Sequence, residues 1–596
     1  MKTDALKQIV QAFILLEIIL LVTFFPSSVN INENISSHYY FFFCSFIIGG
    51  ILLIISLNLF YKLNSIIDYF LLFILIIVFF RIAVFPNQIY SLANEKLTYY
   101  LIFIQLYLLI RFFMEHQFIV KIYYIFTIIL IIELLLIIYQ LTLNYDINKN
   151  VNASLRGTFS NSGILACYLV CSLPTAISVI KVKIDNIKMR ITLQVLTYIV
   201  VLIFLFIIKY RIAIIAFFIY TIHLIIKNKK NGQVLLRNVL HKVIFSLIVC
   251  CLIYLFFNLM IEKSNSTLGR MLMYKIVWQH FFDNFWFGFG FGKISIYYPQ
   301  WQALYFNNST LINSKDILLA GETYHPFNEY LIIFKEVGFV GITIFALCIT
   351  KLFKKNKIRK CHTVPQITLI LVGICSLTSY PLHCNIIILL SFYCLAIILY
   401  EKKSNKKIFF HKKKYLMPIN LTIIICFISL IIIYGNETYS VFKWKKIKGE
   451  SSILSYRQIK EIKELLPILR FNGKYLLDIG EILINQNINY LEGIEIVENS
   501  KKCYVTLKTY NLCGTAYSRI NNHPKAIQNY IWVSNYIPNR FVPKFELLKS
   551  YLNYGDIVRA KKIAQIIITM PVKVPSLKIE EIKNHTYLLI NNGFKR

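Results

Sequence analysis

Acidic residues are scarce in this chain. Its 596 residues include 29 Asp and Glu against 64 Lys and Arg, while 57% of them are hydrophobic. The mean hydropathy is +0.60. A soluble protein of this size needs more charge on its surface, so the composition excludes the soluble globular class and favours a polytopic membrane protein. An apolar run such as residues 122–141 is about long enough for the roughly 20 helical residues that cross a bilayer.

Several sequence motifs are absent as well. No CxxC or HExxH spacing indicates a metal site, and no strand precedes a glycine-rich loop in the manner of a nucleotide-binding fold. We therefore expect neither a metal nor another cofactor. No small-x-small cleavage site follows the first apolar run, residues 9–25, which we predict to be an uncleaved span.

The net charge of +35 would suggest a nucleic-acid partner in a soluble chain. Here the basic residues instead cluster between apolar runs, at residues 181–190, 227–230, 351–360 and 402–414. Basic loops stay in the cytoplasm, so we predict no nucleic-acid partner and a cytoplasmic amino terminus. The predicted all-α bundle has about 12 or 13 transmembrane helices. Its spans lie near residues 9–25, 39–60, 66–85, 98–113, 122–143, 163–180, 191–208, 212–226, 235–259, 327–350, 363–380, 384–400 and 416–434.

This topology predicts a multi-pass protein of a bacterial inner membrane. Residues 264–329 and everything after residue 435 then lie on the outer side, which is the periplasm of a Gram-negative cell. We predict a membrane domain at residues 1–434, with a periplasmic loop at residues 260–326, and a separate periplasmic domain at residues 435–596.

The carboxy-terminal domain shows a repeat. Small residues and prolines recur at 33 or 34 positions: Gly480 with Gly514, Ala526 with Ala560, and Pro538 with Pro571. This period is typical of tetratricopeptide repeats, which form an α-solenoid of helix pairs. The pattern predicts two such pairs, at residues 507–521 with 525–536 and at residues 545–554 with 557–569. An unrelated small helical bundle is the alternative.

The outer stretch at residues 264–329 gathers a cation, a base and flexible backbone. Arg270 begins a helical pattern that leads to Gly288 and Gly290. The planar fork of a guanidinium suits phosphate oxygens, and glycines let backbone approach a substrate closely. These residues are candidates for donor binding; a flexible aromatic turn at the membrane surface is the alternative for the glycine run.

His325 is the candidate base of this stretch. It begins the sequence His325-Pro-Phe-Asn328-Glu329. A histidine at a membrane surface can take a proton from an attacking hydroxyl near neutral pH. Asn328 and Glu329 follow about one helical turn later, where they can orient the histidine or the substrate. A purely structural histidine is the alternative.

Two further arginines border apolar spans. Arg211 lies in an outer turn, and an arginine near hydrocarbon costs several kcal/mol unless it pairs or snorkels, so we expect a function for it. An interfacial anchor is the alternative. Arg156 opens the sixth span in the sequence Arg156-Gly-Thr-Phe-Ser-Asn161, where Arg156 and Asn161 can contact a headgroup. A plain loop is the alternative there.

These motifs together resemble the O-antigen ligase and polymerase superfamily, the membrane glycosyltransferases of the WaaL and Wzy type. The resemblance covers roughly residues 155–400 and rests on the order of the motifs as well as on each one. One departure is Tyr210 beside Arg211, where the family often has a small or hydroxyl residue. The carboxy-terminal repeats resemble those fused to such enzymes in Bacteroidetes-type sequences. The matching stretches are residues 157–161, 210–211, 270–278, 288–290 and 325–331, followed by Gly338 and Gly341.

The resemblance implies a GT-C-like enzyme that uses no cofactor. It implies transfer of a glycan from undecaprenyl diphosphate to an acceptor hydroxyl, with His325, Arg211 and Arg270 as catalytic residues. A lipid A-core acceptor makes the chain a ligase, another glycan makes it a Wzy-type polymerase, and a protein acceptor makes it an O-oligosaccharyltransferase. Membrane lipid surrounds the site, and the repeats can hold protein partners.

A non-catalytic transporter of lipid-linked glycans is the alternative from another functional class. A chain with this many spans fits a transporter equally well. Against it, the spans carry few charges and show no internal duplication, whereas the polar residues collect on one outer stretch.

Overall fold

The computed structural model describes residues 2–24, 35–56, 65, 67–68, 71, 95–145, 155–159, 161–230, 264–308, 313–353, 363–401, 413–450 and 453–591. Every long regular element in these ranges is an α-helix, which confirms the all-α class. In chain order the helices are α1 Lys2–Phe24, α2 Ile35–Ile55, α3 Glu95–Phe113, α4 His116–Tyr145, α5 Ser162–Lys183, α6 Ile187–Ile208, α7 Arg211–Lys230, α8 Ser264–Gln279, α9 Ile294–Asn308, α10 Ser314–Leu319, α11 Glu329–Phe353, α12 Val364–Cys375, α13 Asn385–Glu401, α14 Lys413–Glu450, α15 Tyr456–Lys463, α16 Leu466–Leu469, α17 Gly473–Asn485, α18 Tyr490–Ser500, α19 Leu507–Arg519, α20 His523–Tyr536, α21 Phe541–Tyr554, α22 Ile557–Thr569 and α23 Leu577–Asn591.

Several helices have the length and composition of membrane spans. Among the described residues, four helices are long and apolar enough to cross a bilayer: α4, α5, α6 and α11. Shorter apolar helices accompany them, including α12 and α13. The chain is therefore a multi-pass helical membrane protein. The predicted spans at residues 66–85 and 235–259 fall almost wholly outside the described residues, so the full number of spans stays a prediction.

Helix α5 is the centre of the membrane part. It packs against α4, α6, α7 and α12. Its residues from Gly163 to Ala176 are all buried. The helix begins after Asn161, whose side chain accepts a hydrogen bond from the backbone N–H of Gly163 and so satisfies one of the free donors of the first turn. A predicted site residue is thereby fixed at the end of the best-buried of the four candidate spans.

Helix α12 is shorter than predicted. The sequence indicates a span at residues 363–380, but α12 ends at Cys375, and a short 3₁₀ turn follows at Pro381–His383. The prediction was wrong because apolar content alone does not mark a helix end. A proline disfavours helical backbone at the residue before it, and here that residue is Tyr380. Residues 376–384 therefore form a non-helical connection beside the outer loop.

Helix α11 is interrupted at Gly338, where φ is 70° and ψ is −173°. The glycine-rich turn that follows α8 pairs with this break through backbone hydrogen bonds. Phe339 N–H donates to Phe285 O (2.8 Å), and Gly290 N–H donates to Glu336 O (3.0 Å). A Cβ on Gly338 would lie 2.4 Å from Trp286 O. The sequence predicts Gly338 as a packing residue of a continuous span; its main effect is instead to break the helix and admit the turn.

The carboxy-terminal helices form stacked antiparallel pairs. Helix α19 pairs with α20 and α21 pairs with α22, as predicted from the 34-residue spacing. Ala526 and Ala560 are fully buried, and Gly514 lies against the ring of Tyr530, which is the small-residue crossing that the repeat requires. The assignment to tetratricopeptide repeats and the domain boundary stay predictions, and α14 runs without interruption across residue 435.

The carboxy-terminal helices directly contact the segment between α8 and α11. Helix α9 of the loop packs against α20. The Tyr536 hydroxyl donates to Thr323 O (2.9 Å), and the Asn539 amide donates to the carbonyls of Ile317, Leu318 and Ala320, the last at 2.7 Å. The segment that leads to His325 is therefore held by the carboxy-terminal helices.

Candidate functional site

Arg270, in α8, lies among aromatic rings. Its Cζ atom is 5.7 Å from the centre of the Phe327 ring and 6.0 Å from that of Tyr210, distances at which a guanidinium is attracted to an aromatic face. Arg211, at the start of α7, lies close enough to Arg270 for the two positive charges to repel each other. Two like charges held near each other favour binding of an anion between them, because the anion relieves their repulsion.

His325 stands beside these cations in a group of stacked rings. Its imidazole is parallel to that of His383, with ring centres 4.9 Å apart and an interplanar angle of 6°. The Tyr380 ring meets His325 edge-on at 4.9 Å, and the Phe327 ring is 6.1 Å away. The rings connect the histidine to Arg270, since Phe327 contacts both.

A buried carboxylate holds the second histidine. Glu329 is 3% exposed and accepts hydrogen bonds at Oε1 from His383 Nδ1 (3.0 Å) and from Leu382 N–H (2.9 Å). The sequence predicts that Glu329 orients His325 or a substrate. In the structure it orients His383, because it lies in the first turn of α11 against residues 381–383.

Tyr380 joins the site to the central helix. Its hydroxyl accepts a hydrogen bond from the Asn161 amide (3.1 Å). Burial raises the pKa of Tyr380 above the ordinary tyrosine value, so the phenol is neutral and adds no charge to the site. Asn161 thus lies within the cluster, as predicted, and it also caps α5.

The remaining predicted residues are placed differently. The Arg156 side chain is exposed, in a turn whose backbone is held by Gln140 and Glu133. Asn328 Oδ1 accepts a hydrogen bond from Leu331 N–H (3.1 Å), so this residue caps the start of α11. Contact of either residue with a substrate stays a prediction.

The glycines of the turn after α8 are required by the packing of that turn against α11. Gly288 N–H donates to Asn284 O (2.8 Å), and a Cβ on Gly288 would lie 2.5 Å from the Glu336 carbonyl. Gly288 and Gly290 thus lie close to the backbone of α11, whereas the sequence predicts a close approach to a substrate. Both N–H groups are already used within the chain, so direct substrate contact by these two glycines stays untested.

Sequence reasoning missed Tyr380 and His383. Tyr380 is the last residue of the predicted span at residues 363–380, and His383 lies between that span and the next one. The available signal was the polar run Ser376-Leu-Thr-Ser-Tyr380-Pro-Leu-His383, which holds a proline and a histidine where a span should continue. Tyr274 of α8 was also missed. Its hydroxyl donates to Phe327 O (3.1 Å) and connects α8 to the histidine segment, residues 317–329.

The assembled site combines two cations, a half-buried imidazole and a carboxylate-bound imidazole. Such a set can stabilise a departing diphosphate and remove a proton from a hydroxyl. A comparison with protein families gives a match at residues 153–346 to the model described as O-antigen ligase. Residues 153–346 are thus similar to the O-antigen ligase family. Searches of curated proteins and of solved structures found no match.

The O-antigen ligase segment contains most of the cluster. Asn161, Arg211, Arg270, His325 and Glu329 all lie within residues 153–346. Tyr380 and His383 lie beyond it, as do the carboxy-terminal repeats. The match confirms the resemblance to the ligase and polymerase superfamily and supports a ligase- or polymerase-type function in O-antigen biosynthesis.

Proposed function

We propose that this protein transfers a glycan from undecaprenyl diphosphate to an acceptor hydroxyl at the periplasmic face of the inner membrane. The observation that carries the proposal is the grouping of Arg211, Arg270 and His325 within the O-antigen ligase segment. A diphosphate leaving group needs positive charge where it departs, and an acceptor hydroxyl needs a base. Arg270 and His325, which both contact the Phe327 ring, are the side chains proposed to meet these two needs, with Arg211 adding positive charge near Arg270.

In the proposed reaction His325 takes the proton of the acceptor hydroxyl. The acceptor oxygen then forms a bond to the anomeric carbon of the donor sugar, and the bond from that carbon to the diphosphate oxygen breaks. Undecaprenyl diphosphate leaves with the electron pair, and Arg270 and Arg211 stabilise its charge. Asn161 and Tyr380 supply polar groups that can orient the sugar.

The first test is the glycan that accumulates on undecaprenyl diphosphate in cells that carry His325→Ala. We expect transfer to stop while the protein remains in the membrane, with His280→Ala, a histidine of the same loop outside the cluster, as the matched control. Full-length glycan accumulates if the chain is a terminal transferase, and single repeat units accumulate if it is a polymerase. Wild-type transfer by His325→Ala would remove this residue from the mechanism.

The arginines are tested by binding of an undecaprenyl diphosphate analogue. Loss of one charge-assisted contact costs about 1.5–3 kcal/mol, so Arg270→Ala should bind the analogue roughly 10- to 100-fold more weakly. We expect a similar loss for Arg211→Ala and none for Arg190→Ala, on the predicted cytoplasmic side. Unchanged affinity in both site variants would make these arginines membrane anchors.

The acceptor is proposed to be a protein or the lipid A-core. The stacked helix pairs favour a protein slightly, because such stacks hold peptides on a concave face. A polymerase function and a lipid-linked glycan transporter are the competing proposals. Proteoliposomes given donor only on the outer side separate transferase from transporter, because a transporter needs access from both faces.

A further inference from the structure

We propose that His383 is a positioning residue that carries the shared proton of a histidine pair and so keeps His325 neutral. This inference rests on the proposed function, in which His325 must be unprotonated to accept a proton. It is carried by the geometry of three side chains: the Glu329 carboxylate, the His383 ring hydrogen-bonded to it, and the His325 ring stacked on His383.

Two imidazoles stacked at 4.9 Å do not both become protonated easily. Two unit charges at about 5 Å repel by roughly 3 kcal/mol at the effective dielectric typical of protein sites. The pair therefore takes up protons in two coupled steps, and the first proton goes to the ring whose cation is better stabilised.

The Glu329 carboxylate determines which of the two rings binds the first proton. Glu329 lies 3.0 Å from His383 Nδ1, and the His383 side chain is 12% exposed, so the ion pair is little screened by water. A buried carboxylate beside an imidazole favours its charged form. His383 therefore binds the first proton, and its charge then opposes protonation of His325.

Several described groups near the pair also bear on its charge. Arg270 of α8 lies on the Phe327 side of His325 and adds positive charge, which also disfavours an imidazolium there. Arg211 is close enough to Arg270 for their positive charges to interact. Tyr380 is kept uncharged by burial, and the nearby Cys384 and Cys167 are buried thiols. Tyr274 reaches the backbone of Phe327 with its hydroxyl.

The test measures the protonation of His325 without any acceptor. Diethyl pyrocarbonate reacts with neutral imidazoles, so the rate of modification at His325, followed by peptide mass spectrometry across pH 4.5–8.5, reports its midpoint. The full-length protein in nanodiscs is compared with His383→Gln and Glu329→Gln. His280 serves as the internal reference, and Tyr380→Phe as the matched control because it keeps the ring packing.

We expect the His325 midpoint to rise by about one to two pH units in His383→Gln, since the repelling charge is gone. Glu329→Gln should shift it in the same direction and by less, because His383 loses its counter-charge but remains. Equal midpoints in the wild type and His383→Gln would overturn the proposal, as would a midpoint that moves equally in Tyr380→Phe.

Failure of this inference is distinct from failure of the proposed function. If His325→Ala abolishes transfer and the midpoints are equal, the function stands and the role of His383 does not. If the midpoints shift but His325→Ala transfers normally, the proton pair exists and the base is elsewhere. Transfer that survives His325→Gln and is abolished by His383→Gln would assign the base to His383, against the proposal.

A separate observation concerns the exposed aromatic turn between α8 and α9. Phe282, Trp286 and Phe287 are 80%, 60% and 78% exposed, and Trp278 at the end of α8 is 68% exposed. The turn is bound to α11 at its break, where Val340 N–H donates to Trp286 O (3.2 Å) and the Trp286 ring meets Phe339 edge-on. The aromatic surface is thus continuous with a candidate membrane span.

We infer that this aromatic turn, residues 278–287, lies in the headgroup region of the bilayer. Helix α11 exposes apolar side chains beyond its break, including Phe339 at 42% and Leu347 at 62%, and on a candidate membrane span such a face suits contact with lipid. Tryptophan is enriched at the boundary between lipid and water. The occupant of the surface is therefore a lipid bilayer.

Tryptophan quenching tests this inference. Of the five tryptophans, Trp301 and Trp444 are buried and Trp532 is stacked on Tyr510, so Trp278 and Trp286 should dominate quenching by lipid. In nanodiscs of phosphatidylcholine brominated near the headgroup, we expect the fluorescence to fall by about a third, and Trp278→Phe/Trp286→Phe to lose most of that quenching. Trp532→Phe is the control. Equal quenching in the wild type and the double variant would overturn the inference.

Discussion

The glycine turn and the histidine segment, two parts of the chain between α8 and the start of α11, are held in different ways. The turn is fixed by backbone atoms, which meet the break in α11 where only glycine fits. The histidine segment is fixed by side chains of the carboxy-terminal helices, above all Tyr536 and Asn539. The first arrangement tolerates almost no substitution, whereas the second can be weakened in steps. The contacts of Tyr536 and Asn539 with residues 317–323 form a clamp on this segment. Loss of the turn should therefore unfold the loop, while loss of the clamp should leave a folded but less ordered site.

The largest expected effect is that of Gly338→Val. The new Cβ would lie 2.4 Å from Trp286 O at a φ of 70°, so clash and backbone strain together should cost about 3 kcal/mol or more. We expect little folded protein, measured as the monodisperse fraction in detergent after a heat ramp. Gly321→Ala is the control, because its Cβ would meet nothing within 4 Å. Wild-type heat stability of Gly338→Val would show that the turn is not fixed by this contact.

A smaller effect is expected from Asn539→Ala. Removal of the amide leaves the carbonyls of Ile317, Leu318 and Ala320 without this donor and should cost about 2 kcal/mol at the interface. Amide exchange at residues 317–324 should become faster and transfer slower, while exchange in α21 and α22 stays unchanged. Asn535→Ala, which removes one exposed bond to Asn307, is the matched control. No change in exchange would show that the clamp does not order the segment.

The smallest expected effect depends on pH. Lys544 is 6% exposed and donates to Ser534 O and Pro538 O, which stabilises the turn that carries Asn539. Burial lowers the pKa of Lys544 to about 8. Between that pKa and the ordinary value the unfolded chain binds the extra proton, so stability should rise with pH, by about 1 kcal/mol from pH 8 to 9.

This pH effect is measured by amide exchange across residues 534–548, corrected for intrinsic rates. We expect protection to increase from pH 8 to 9 in the wild type and to stay flat in Lys544→Met. A parallel increase in the variant would assign the pH dependence to another group.

Sequence reasoning predicted the features that depend on residue spacing and missed those that depend on contacts between residues far apart in the chain. The helix pairs follow from small residues 34 positions apart, since a crossing needs a small side chain wherever it occurs. Arg270 and His325 stand out because they lie in a polar stretch between apolar spans, where a guanidinium suits phosphate and an imidazole can accept a proton. The partner of Glu329 was not predictable in this way, because His383 is 54 residues away and reaches Glu329 only after α12 ends early. The break at Gly338 was hidden too, because a glycine in an apolar run is equally compatible with close helix packing.

The clamp on the histidine segment has a consequence for the timing of synthesis. The hydrogen bonds from Tyr536 and Asn539 to Thr323 and Ala320 join residues 213 and 219 positions apart. At a typical rate of about 5–20 residues per second, their partners emerge roughly 10–40 s after the loop itself. The nascent chain therefore contains Arg211, Arg270 and His325 before the histidine segment can be held in place, and the site becomes complete only after the carboxy-terminal helices have been made.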